Sequence, residues 1–580
     1  MFRRANKITS LLVTAAAVMS LVPAYAADVK KINSQDGTIY SAVAYKDGKF
    51  YIDGEVNDKD EAAYYLTDGK YNNLSDIDAG SDITTYGTKY VDVQDGDYFI
   101  DLSTGKVTDD SIAEDARDDA ASSLRKKVKA DTDGRFKKDA SGNAADTLKT
   151  FKEADEINGN TFGEVWYKTT IDAKDETNGN AVNTGAINVF TDAAGKYIDA
   201  DYNLGKVKVT TTAAGVSGSK SVYIDNTKDT FDTQNSKVTV SAAITQNAVI
   251  GQDKDYIYRT ATVKVSTTGA AVDVAATGIS QIDGKDVSCN VFTPVGTNGY
   301  QFDVIQKISK AQSSSDIGGV KYAKTVSTYV LSDDKAAKES LYTTSTSFNT
   351  IANGKIINYK LDDSNNEIDI QTITLKSKDG LYYADFASAE TGKSVENEGT
   401  KLAVSVDVDG NVWRLDGGYL YQWNNDEDWD KVYKVDGSFN QLSVYDKNNI
   451  VAWNEDDEVY SVIGGKKVDD KTTDIVKPVV TTGWVQATDG TWSYNKADGT
   501  KATGWLQNGA TWYYLNATGT MATGWVNDKG TWYYLNGSGA MLTGWVNDNG
   551  TWYYLNGSGA MLSNTVVDGY KLGTSGAWVK

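Results

Sequence analysis

The chain has 580 residues, carries a formal net charge of −21, and contains no histidine and a single cysteine, Cys289. This length predicts several domains, because single hydrophobic cores stop growing at roughly 250 to 300 residues. The composition excludes internal disulfides and imidazole-based catalytic or metal sites, so we expect no metal and no cofactor, and the acidic charge argues against nucleic acid as a partner.

The N-terminus has the pattern of a secretory signal. Three basic residues precede an apolar run over residues 8–22, and Ala24 and Ala26 are small residues at the positions that a signal peptidase reads. The run is shorter than the roughly 20 residues that cross a bilayer, and no other stretch approaches that length. We therefore expect a signal peptide over residues 1–26, a secreted mature protein and no membrane span. The C-terminus shows no sorting motif, which predicts non-covalent attachment to the cell surface.

Residues 27–464 have the composition of an acidic, all-β body. Alternating runs such as "KVKVTTTA" (206–213) and "SKVTVSAAI" (236–244) are typical of strands. One helix interrupts them, with acidic residues near its start and basic residues near its end, the order that a helix dipole favours. Its apolar positions recur every four residues: Ile112, Ala116, Ala120, Leu124 and Val128.

Both ends of this body repeat an Asp-Gly pair followed closely by an aromatic residue, which indicates hairpins. Hairpins at both ends favour a β-propeller closed by its two termini, and separate small β domains are the alternative. The stretch near 161–362 lacks the pattern and is expected to form a distinct middle part. The pairs are Asp36/Tyr40, Asp47/Phe50, Asp68/Tyr71, Asp95/Tyr98, Asp379/Tyr382, Asp409/Trp413, Asp416/Tyr419 and Asp436/Phe439.

Residues 465–480 are polar and contain Pro478, and this composition predicts a linker. Residues 481–580 follow a strict repeat of about 20 residues. Each unit has two short aromatic runs around an Asp-x-Gly turn, which predicts a β-hairpin. Isolated hairpins are marginally stable, so we expect them to stack into a solenoid. The tail from Thr482 onward is formally neutral, with five Asp and five Lys, so bulk charge cannot drive its binding. The repeated tryptophans are Trp484, Trp505, Trp525 and Trp545, and Trp492, Trp512, Trp532 and Trp552.

Strand alternation predicts that one face of each hairpin is core and the other open. In "TWYYLN" the side chains of Trp532 and Tyr534 share one face, and Tyr533 lies with Leu535 on the other. Trp525 joins Trp532, and the next hairpin would bring Tyr554 alongside. Three ring faces around a gap form a cage for a cation without hydrogen-bond donors, such as a quaternary ammonium.

The repeats resemble the choline-binding, cell-wall-binding repeats of secreted Gram-positive proteins, and the layout resembles a clostridial secreted choline-binding protein. The resemblance implies a hairpin solenoid that holds choline of teichoic or lipoteichoic acid between two Trp of one repeat and a Tyr of the next, with a Met nearby. Carried over, the cages are Trp484, Trp492 and Tyr514; Trp505, Trp512 and Tyr534; and Trp525, Trp532 and Tyr554, with Met521, Met541 and Met561 as linings.

Two units depart from this pattern. The first has Ser493 where later units have tyrosine, at a position that faces away from the cage. The last places Lys571 at the expected cage tyrosine and Trp578 at the methionine, so the sequence predicts a cap there and leaves a fourth cage at Trp545 and Trp552 doubtful. Tyr513, Tyr533 and Tyr553 are expected in the core. Glucan that stacks on the rings is the alternative ligand.

The body is predicted to be non-catalytic, with no catalytic residues assigned. A carboxylate-dependent glycan hydrolase is the remaining enzymatic alternative, because composition excludes histidine-dependent amidases and peptidases. The acidic runs at 426–430 and 455–458 fit solvated loops better than a catalytic pair. Two aspartate pairs, at 131 and 133 and at 407 and 409, begin like calcium loops but lack the remaining ligands.

Overall fold

The computed structural model describes residues 29–57, 59–130, 135–137, 156–173, 185–212, 218–233, 238–269, 278–464, 483–486, 491–496, 501–508, 511–516, 519–548 and 550–579. The predicted signal peptide, the predicted linker over 465–480 and the aspartates at 131 and 133 lie outside them. The chain divides into two compact units, Met1–Val468 and Asp469–Lys580.

The protein is mainly β, as predicted, and the described residues contain one α-helix, Ile112–Ala130. Ala120, Leu124 and Val128 on this helix are fully buried and pack against the core residues Tyr167 and Val189. The four-residue period therefore identified the buried face of the helix correctly. None of the helices in the described part of the chain is long and apolar enough to cross a membrane.

The two ends of the body share sheets. Lys30 pairs in parallel with Tyr433, and Asp36 pairs with Val459 in the antiparallel sense. The five-stranded sheet has the order Lys30–Lys31, Trp429–Lys434, Tyr419–Trp423, Val412–Asp416 and Val404–Val406. The seven-stranded sheet has the order Gln441–Asp446, Asn449–Asn454, Val459–Ile463, Gln35–Tyr45, Lys49–Val56, Ala62–Thr67 and Lys70–Asn73.

Two smaller sheets complete this part of the body, and the propeller stays a prediction. A four-stranded sheet contains Ile83–Tyr86, Tyr90–Val93, Tyr98–Asp101 and Lys106–Thr108, and a two-stranded sheet contains Asn397–Glu398 and Lys401–Leu402.

Most of the Asp-Gly pairs form turns between strands. Asp47, Asp68 and Asp379 each adopt a positive φ angle at a strand connection. Asp36 does not, because it lies inside the strand Gln35–Tyr45. The glycine that follows it serves close packing instead, since a Cβ there would lie 2.6 Å from the Glu55 carbonyl oxygen.

Three further sheets contain the middle of the body. The longest has eleven strands, and its pairing continues across Asp362, since Lys355–Asp362 pairs with Glu367–Lys378. The three-stranded sheet contains Trp166–Asp172, Ala186–Asp192 and Tyr197–Asp199, and the four-stranded sheet Lys220–Asn226, Asn203–Thr211, Ile279–Ile282 and Lys285–Asp286. The eleven strands are Phe231–Asp232, Thr239–Gln252, Tyr256–Thr268, Gly299–Ser309, Val326–Val330, Leu381–Phe386, Glu367–Lys378, Lys355–Asp362 and Ser347–Ala352, with Thr293–Val295 and Glu390–Ser394 at their sides.

The tail consists of hairpins. In each well-described turn an asparagine side chain closes the loop: Asn527 Oδ1 accepts a hydrogen bond from the Gly530 amide at 3.0 Å, and Gly530 has a φ angle of 89°. The hairpins are Gly483–Gln486 with Trp492–Asn495, Gly504–Asn508 with Thr511–Leu515, Gly524–Asp528 with Thr531–Leu535, and Gly544–Asp548 with Thr551–Leu555; a last sheet contains Val566–Val567, Tyr570–Leu572 and Trp578–Val579.

Backbone hydrogen bonds join each hairpin to the next. The Met541 amide donates to the Trp512 carbonyl at 2.8 Å, and the Met561 amide donates to the Trp532 carbonyl at the same distance. Gly539 has a φ angle of 81° and lies directly against the Met521 thioether, where a Cβ would collide. The predicted stacking of hairpins is thus present, and the glycine leaves room for the methionine of the preceding repeat.

Candidate functional site

Strand register decides which rings share a face of each hairpin. In the third hairpin, Trp525 lies opposite Tyr534, and Asn527 lies opposite Trp532. Opposite residues point to the same side, so Trp525, Trp532 and Tyr534 share one face. Leu535 is buried on the other face, whereas the Trp532 side chain is 43% exposed. The prediction that each hairpin has one packed face and one open face is confirmed for this hairpin.

Two tryptophans of each central hairpin form a right-angled corner. The ring centroids of Trp505 and Trp512 are 6.4 Å apart with an interplanar angle of 80°, and those of Trp525 and Trp532 are 6.4 Å apart at 83°. A corner of this kind presents the face of one indole and the edge of the other to the same space. The first of these tryptophans is partly covered and the second is exposed.

The following hairpin brings a tyrosine into direct contact with each covered tryptophan, and the cage tyrosines Tyr514, Tyr534 and Tyr554 stay a prediction. Tyr533 lies 4.6 Å from Trp505 of the preceding repeat, and Tyr553 lies 4.8 Å from Trp525. The predicted partner Tyr534 instead lies 5.0 Å from Trp525 of its own hairpin. Tyr533 lies on the face of its hairpin opposite to Trp525, Trp532 and Tyr534. This opposite face packs against the tryptophan face of the preceding hairpin, so Tyr533 contacts Trp505.

The same ring contacts recur along the tail. Tyr513, Tyr533 and Tyr553 were expected in the core but are only half-buried, and Leu515, Leu535 and Leu555 are the buried residues of these strands. The ring sets that the structure brings together are Trp484 with Tyr513; Trp505 and Trp512 with Tyr533; and Trp525 and Trp532 with Tyr553. Trp492 is exposed in the first hairpin, and Tyr514 and Tyr554 lie against Trp505 and Trp545 of their own hairpins.

The last repeat supplies its own tyrosine. Tyr570 lies 5.3 Å from Trp545, in the position that Tyr553 has against Trp525. Lys571 occupies the position of Tyr554, which is not the inter-repeat position, so its presence does not remove the fourth ring set. Trp552 is exposed, as the corresponding tryptophans are in the other repeats.

An aspartate that the sequence reasoning missed fixes the covered tryptophans. Asp528 Oδ2 accepts a hydrogen bond from the Trp505 indole nitrogen at 3.1 Å, and Asp548 Oδ2 accepts one from Trp525 at 3.0 Å. Each aspartate belongs to the repeat after its tryptophan, so the bond also crosses between hairpins. The recurrence of Asp at the end of "GWVND" was the available signal; the second hairpin has Asn508 there.

The methionines predicted as linings have a packing role. Met521, Met541 and Met561 lie against Gly539, Gly559 and Gly576 of the following repeats, at the positions where a Cβ would be. Their thioethers fill the gap between adjacent hairpins.

The acidic motif at Asp407 and Asp409 lies within the described part of the body. The Asp407 carboxylate accepts hydrogen bonds from the amides of Asp409 and Asn411 and from the Trp413 indole, so its loop is closed by its own donors. Burial raises the pKa of this carboxyl above its usual value. Within the described residues, no three Asp, Glu or Cys side chains are grouped as metal ligands.

Comparisons with known proteins concern the tail. Family models match residues 522–565 as a choline-binding repeat and residues 503–521 as a cell wall binding repeat. A search of curated proteins found no match.

Among solved structures, the choline binding domain of a Streptococcus pneumoniae protein is 48% identical over 14% of this chain and 96% of its own, with a TM-score of 0.13. Choline binding protein F of the same organism, crystallised with a peptidoglycan analogue, is 24% identical over 39% of this chain and 76% of its own, with a TM-score of 0.19. A pneumococcal cell wall endolysin from phage Cp-1, complexed with choline, is 33% identical over 21% of this chain and 42% of its own, with a TM-score of 0.13. By the two family matches, the tail of this chain contains choline-binding, cell-wall-binding repeats over residues 503–565.

Proposed function

We propose that this protein is secreted, is held on the cell wall without a covalent bond, and binds choline on teichoic or lipoteichoic acid through its tail. The observation that carries the proposal is the set of three rings at the junctions around Trp505 and Trp525. At each of these junctions two indoles lie at about a right angle, a tyrosine of the next hairpin contacts the first indole, and the second indole is exposed to solvent.

The chemistry of these aromatic rings favours a quaternary ammonium ion as the ligand. A trimethylated nitrogen has no proton to donate, so water and carboxylates cannot satisfy it by hydrogen bonds, whereas the negative faces of aromatic rings attract it. Each desolvated cation–π contact contributes about 2 kcal/mol. Asp528 and Asp548 place a carboxylate beside an indole of the site, which adds a further attraction for a cation.

Several such sites in line suit a polymer that carries many choline groups. One site alone binds weakly, but a chain bound at one junction is already close to the next, so the overall affinity rises steeply with the number of sites. The tail is formally neutral, which limits its repulsion by the phosphates of the polymer.

The body is proposed to be a non-catalytic module that the tail displays at the surface. The alternative is a carboxylate-dependent glycan hydrolase on the same tail, and the matched endolysin is an example of a wall-degrading protein with related repeats. The aromatic corners would also stack on sugars, so glucan remains the alternative ligand.

Retention on a choline-like resin tests the proposal. The full chain is expected to bind a diethylaminoethyl matrix in sodium chloride concentrated enough to suppress anion exchange by its net charge of −21. It should then elute with added choline chloride but not with the same added concentration of sodium chloride or with soluble glucan. The double variant Trp512→Leu with Trp532→Leu removes two exposed indoles and is expected to elute earlier, whereas Tyr223→Leu removes an exposed ring of the body and serves as the matched control. Elution by soluble glucan would refute choline as the ligand of the tail.

A second measurement distinguishes the two proposed functions of the body, a non-catalytic module and a glycan hydrolase. Purified walls that carry choline should take up the protein without a fall in turbidity, and walls from which choline has been removed should not take it up. A fall in turbidity would show that the body degrades the wall.

A further inference from the structure

The methionines of this chain are concentrated in its tail. The sequence has five of them: two lie in the predicted signal peptide, and the other three are Met521, Met541 and Met561. The body over residues 27–464 contains no methionine. The three recur with the repeat, so each has the same place in successive units. Together with Cys289, they are the side chains after residue 26 that peroxides oxidise most readily.

Each of these methionines connects three successive repeats. Met541 forms a β-bridge with Leu535 of its own repeat, and its amide donates a hydrogen bond to the Trp512 carbonyl of the preceding repeat at 2.8 Å. Its thioether lies against Gly559 of the following repeat. Because Trp512 is the exposed indole of a ring set, the position of the methionine is coupled directly to that set. The same contacts join Met521 to Leu515, Trp492 and Gly539, and Met561 to Leu555, Trp532 and Gly576.

The sulfur atoms are packed tightly in side chains that solvent still reaches. A Cβ at Gly539 would lie 2.3 Å from the Met521 sulfur, and a Cβ at Gly559 would lie 2.4 Å from the Met541 sulfur. There is thus no spare room on the glycine side of the thioether. All three methionines are nevertheless partly exposed. A small oxidant such as hydrogen peroxide can therefore approach the side chain, whereas a larger, polar product no longer suits the contact.

We propose that these three methionines are oxidation sites through which a peroxide weakens the binding of choline by the tail, an inference that rests on the function proposed above. The sulfur lone pair attacks one peroxide oxygen, so that the S–O bond forms as the O–O bond breaks. The departing hydroxide takes the proton left on the sulfoxide oxygen and leaves as water. The sulfur loses two electrons and the peroxide gains them. The modification is reversible, because methionine sulfoxide reductases restore the thioether.

The sulfoxide acts on the ring sets through the packing between repeats. Oxidation converts a flexible apolar side chain into a polar one, and this disrupts interfaces that thioethers fill. A polar group left without a partner in such a contact should lower the choline affinity of a junction at least about fivefold. Displacement of Met541 would also move the Trp512 backbone that it holds. Since several junctions bind one polymer together, a modest loss at each becomes a large loss of retention on the wall.

The test treats the full chain with hydrogen peroxide at neutral pH, in a Cys289→Ser background that removes the thiol. Peptide mass spectrometry confirms that the added oxygen atoms are on Met521, Met541 and Met561. Calorimetric titration with choline then gives the affinity before treatment, after treatment, and after incubation with methionine sulfoxide reductases of both stereospecificities. The affinity should fall at least about fivefold and return on reduction. An unchanged affinity of the fully oxidised protein would overturn the proposal.

Proteins without the thioethers separate this effect from other oxidative damage. The triple variant Met521→Leu, Met541→Leu and Met561→Leu forms no sulfoxide in the tail, so peroxide should leave its choline affinity unchanged. Replacement of methionine by norleucine, which has a methylene group in place of the sulfur, gives a second test if the leucine variant does not fold. An equal loss of affinity in these proteins on the same treatment would overturn the proposal.

The thermal unfolding of the tail provides a measurement that does not need choline. Oxidation should lower the unfolding temperature of the tail in the unsubstituted protein and leave it unchanged in the leucine or norleucine protein. An untreated chain that binds no choline would refute the proposed function of the tail. An unfolding temperature that oxidation leaves unchanged would refute the role of the methionines, so the two failures are distinguishable.

Discussion

Two adjacent tyrosines of the third hairpin offer a sharp test of the site. Tyr533 lies 4.6 Å from Trp505 of the preceding repeat, whereas Tyr534 lies 5.0 Å from Trp525 of its own. The substitutions Tyr533→Leu and Tyr534→Leu make the same chemical change one residue apart. We expect the first to impair the site at Trp505 and Trp512, and the second to leave that site intact.

The size of the effect follows from the loss of one ring. A desolvated cation–π contact contributes about 2 kcal/mol, which corresponds to a choline affinity about 30-fold lower at that site. Fluorine NMR of protein labelled with fluorotryptophan reads the site directly, with the Trp505 signal assigned from a Trp505→Phe variant. Titration with choline then gives the affinity at this junction in each variant.

The control is the thermal unfolding of the tail, because Tyr534 contacts Trp525 and its loss also costs packing. Both variants must be folded at the temperature of the titration. If Tyr534→Leu weakened choline binding at Trp505 while Tyr533→Leu did not, the site would be the one that sequence alternation predicts, and the inter-repeat geometry described above would be refuted.

Three other predictions follow from the same structure. Asp528→Ala removes the acceptor of an inter-repeat indole and should weaken choline binding at that junction by about 1 kcal/mol, whereas Asp528→Asn should retain most of the affinity, as measured by the same titration. Tyr570→Leu should remove one choline site, counted by equilibrium dialysis, whereas Lys571→Leu should remove none; equal counts would exclude a site at Trp545. Burial raises the pKa of Asp283 to about 7, so the folded body holds this proton more tightly than the unfolded chain and loses stability as the pH rises from about 4 to 7. Asp283→Asn should therefore raise the free energy of unfolding at pH 8 by an amount on the order of 4 kcal/mol, and by less at pH 5.5; a gain independent of pH in denaturant titrations would contradict this.

Local patterns predicted the elements of this protein because each element depends on nearby residues. The four-residue spacing of Ala120, Leu124 and Val128 identified the helix Ile112–Ala130 and its buried face. The Asp-x-Gly turn with Gly530 at a positive φ angle identified the hairpin. In both cases hydrogen bonds between residues close in sequence determine the backbone conformation, so the local sequence is enough to predict it.

Long-range pairing was predicted only in outline. The similar motifs at both ends of the body suggested that its termini meet, and Asp36 does pair with Val459. The same motif at Asp36 was expected to form a turn and lies inside a strand, because its glycine permits a close approach to Glu55. The sequence does not distinguish a glycine that adopts a turn conformation from a glycine that permits close packing of two strands.

The sequence by itself determined that the chain is mainly β, that its tail repeats an aromatic hairpin, and that two tryptophans of a hairpin share its open face, since strand alternation acts within one element. The tertiary structure alone decided which tyrosine contacts the tryptophan of the preceding repeat. Tyr533 and Tyr534 are identical in composition and adjacent in the chain, and the choice between them depends on which face of a hairpin rests on its neighbour. That contact forms between repeats, so no pattern within a single repeat specifies it.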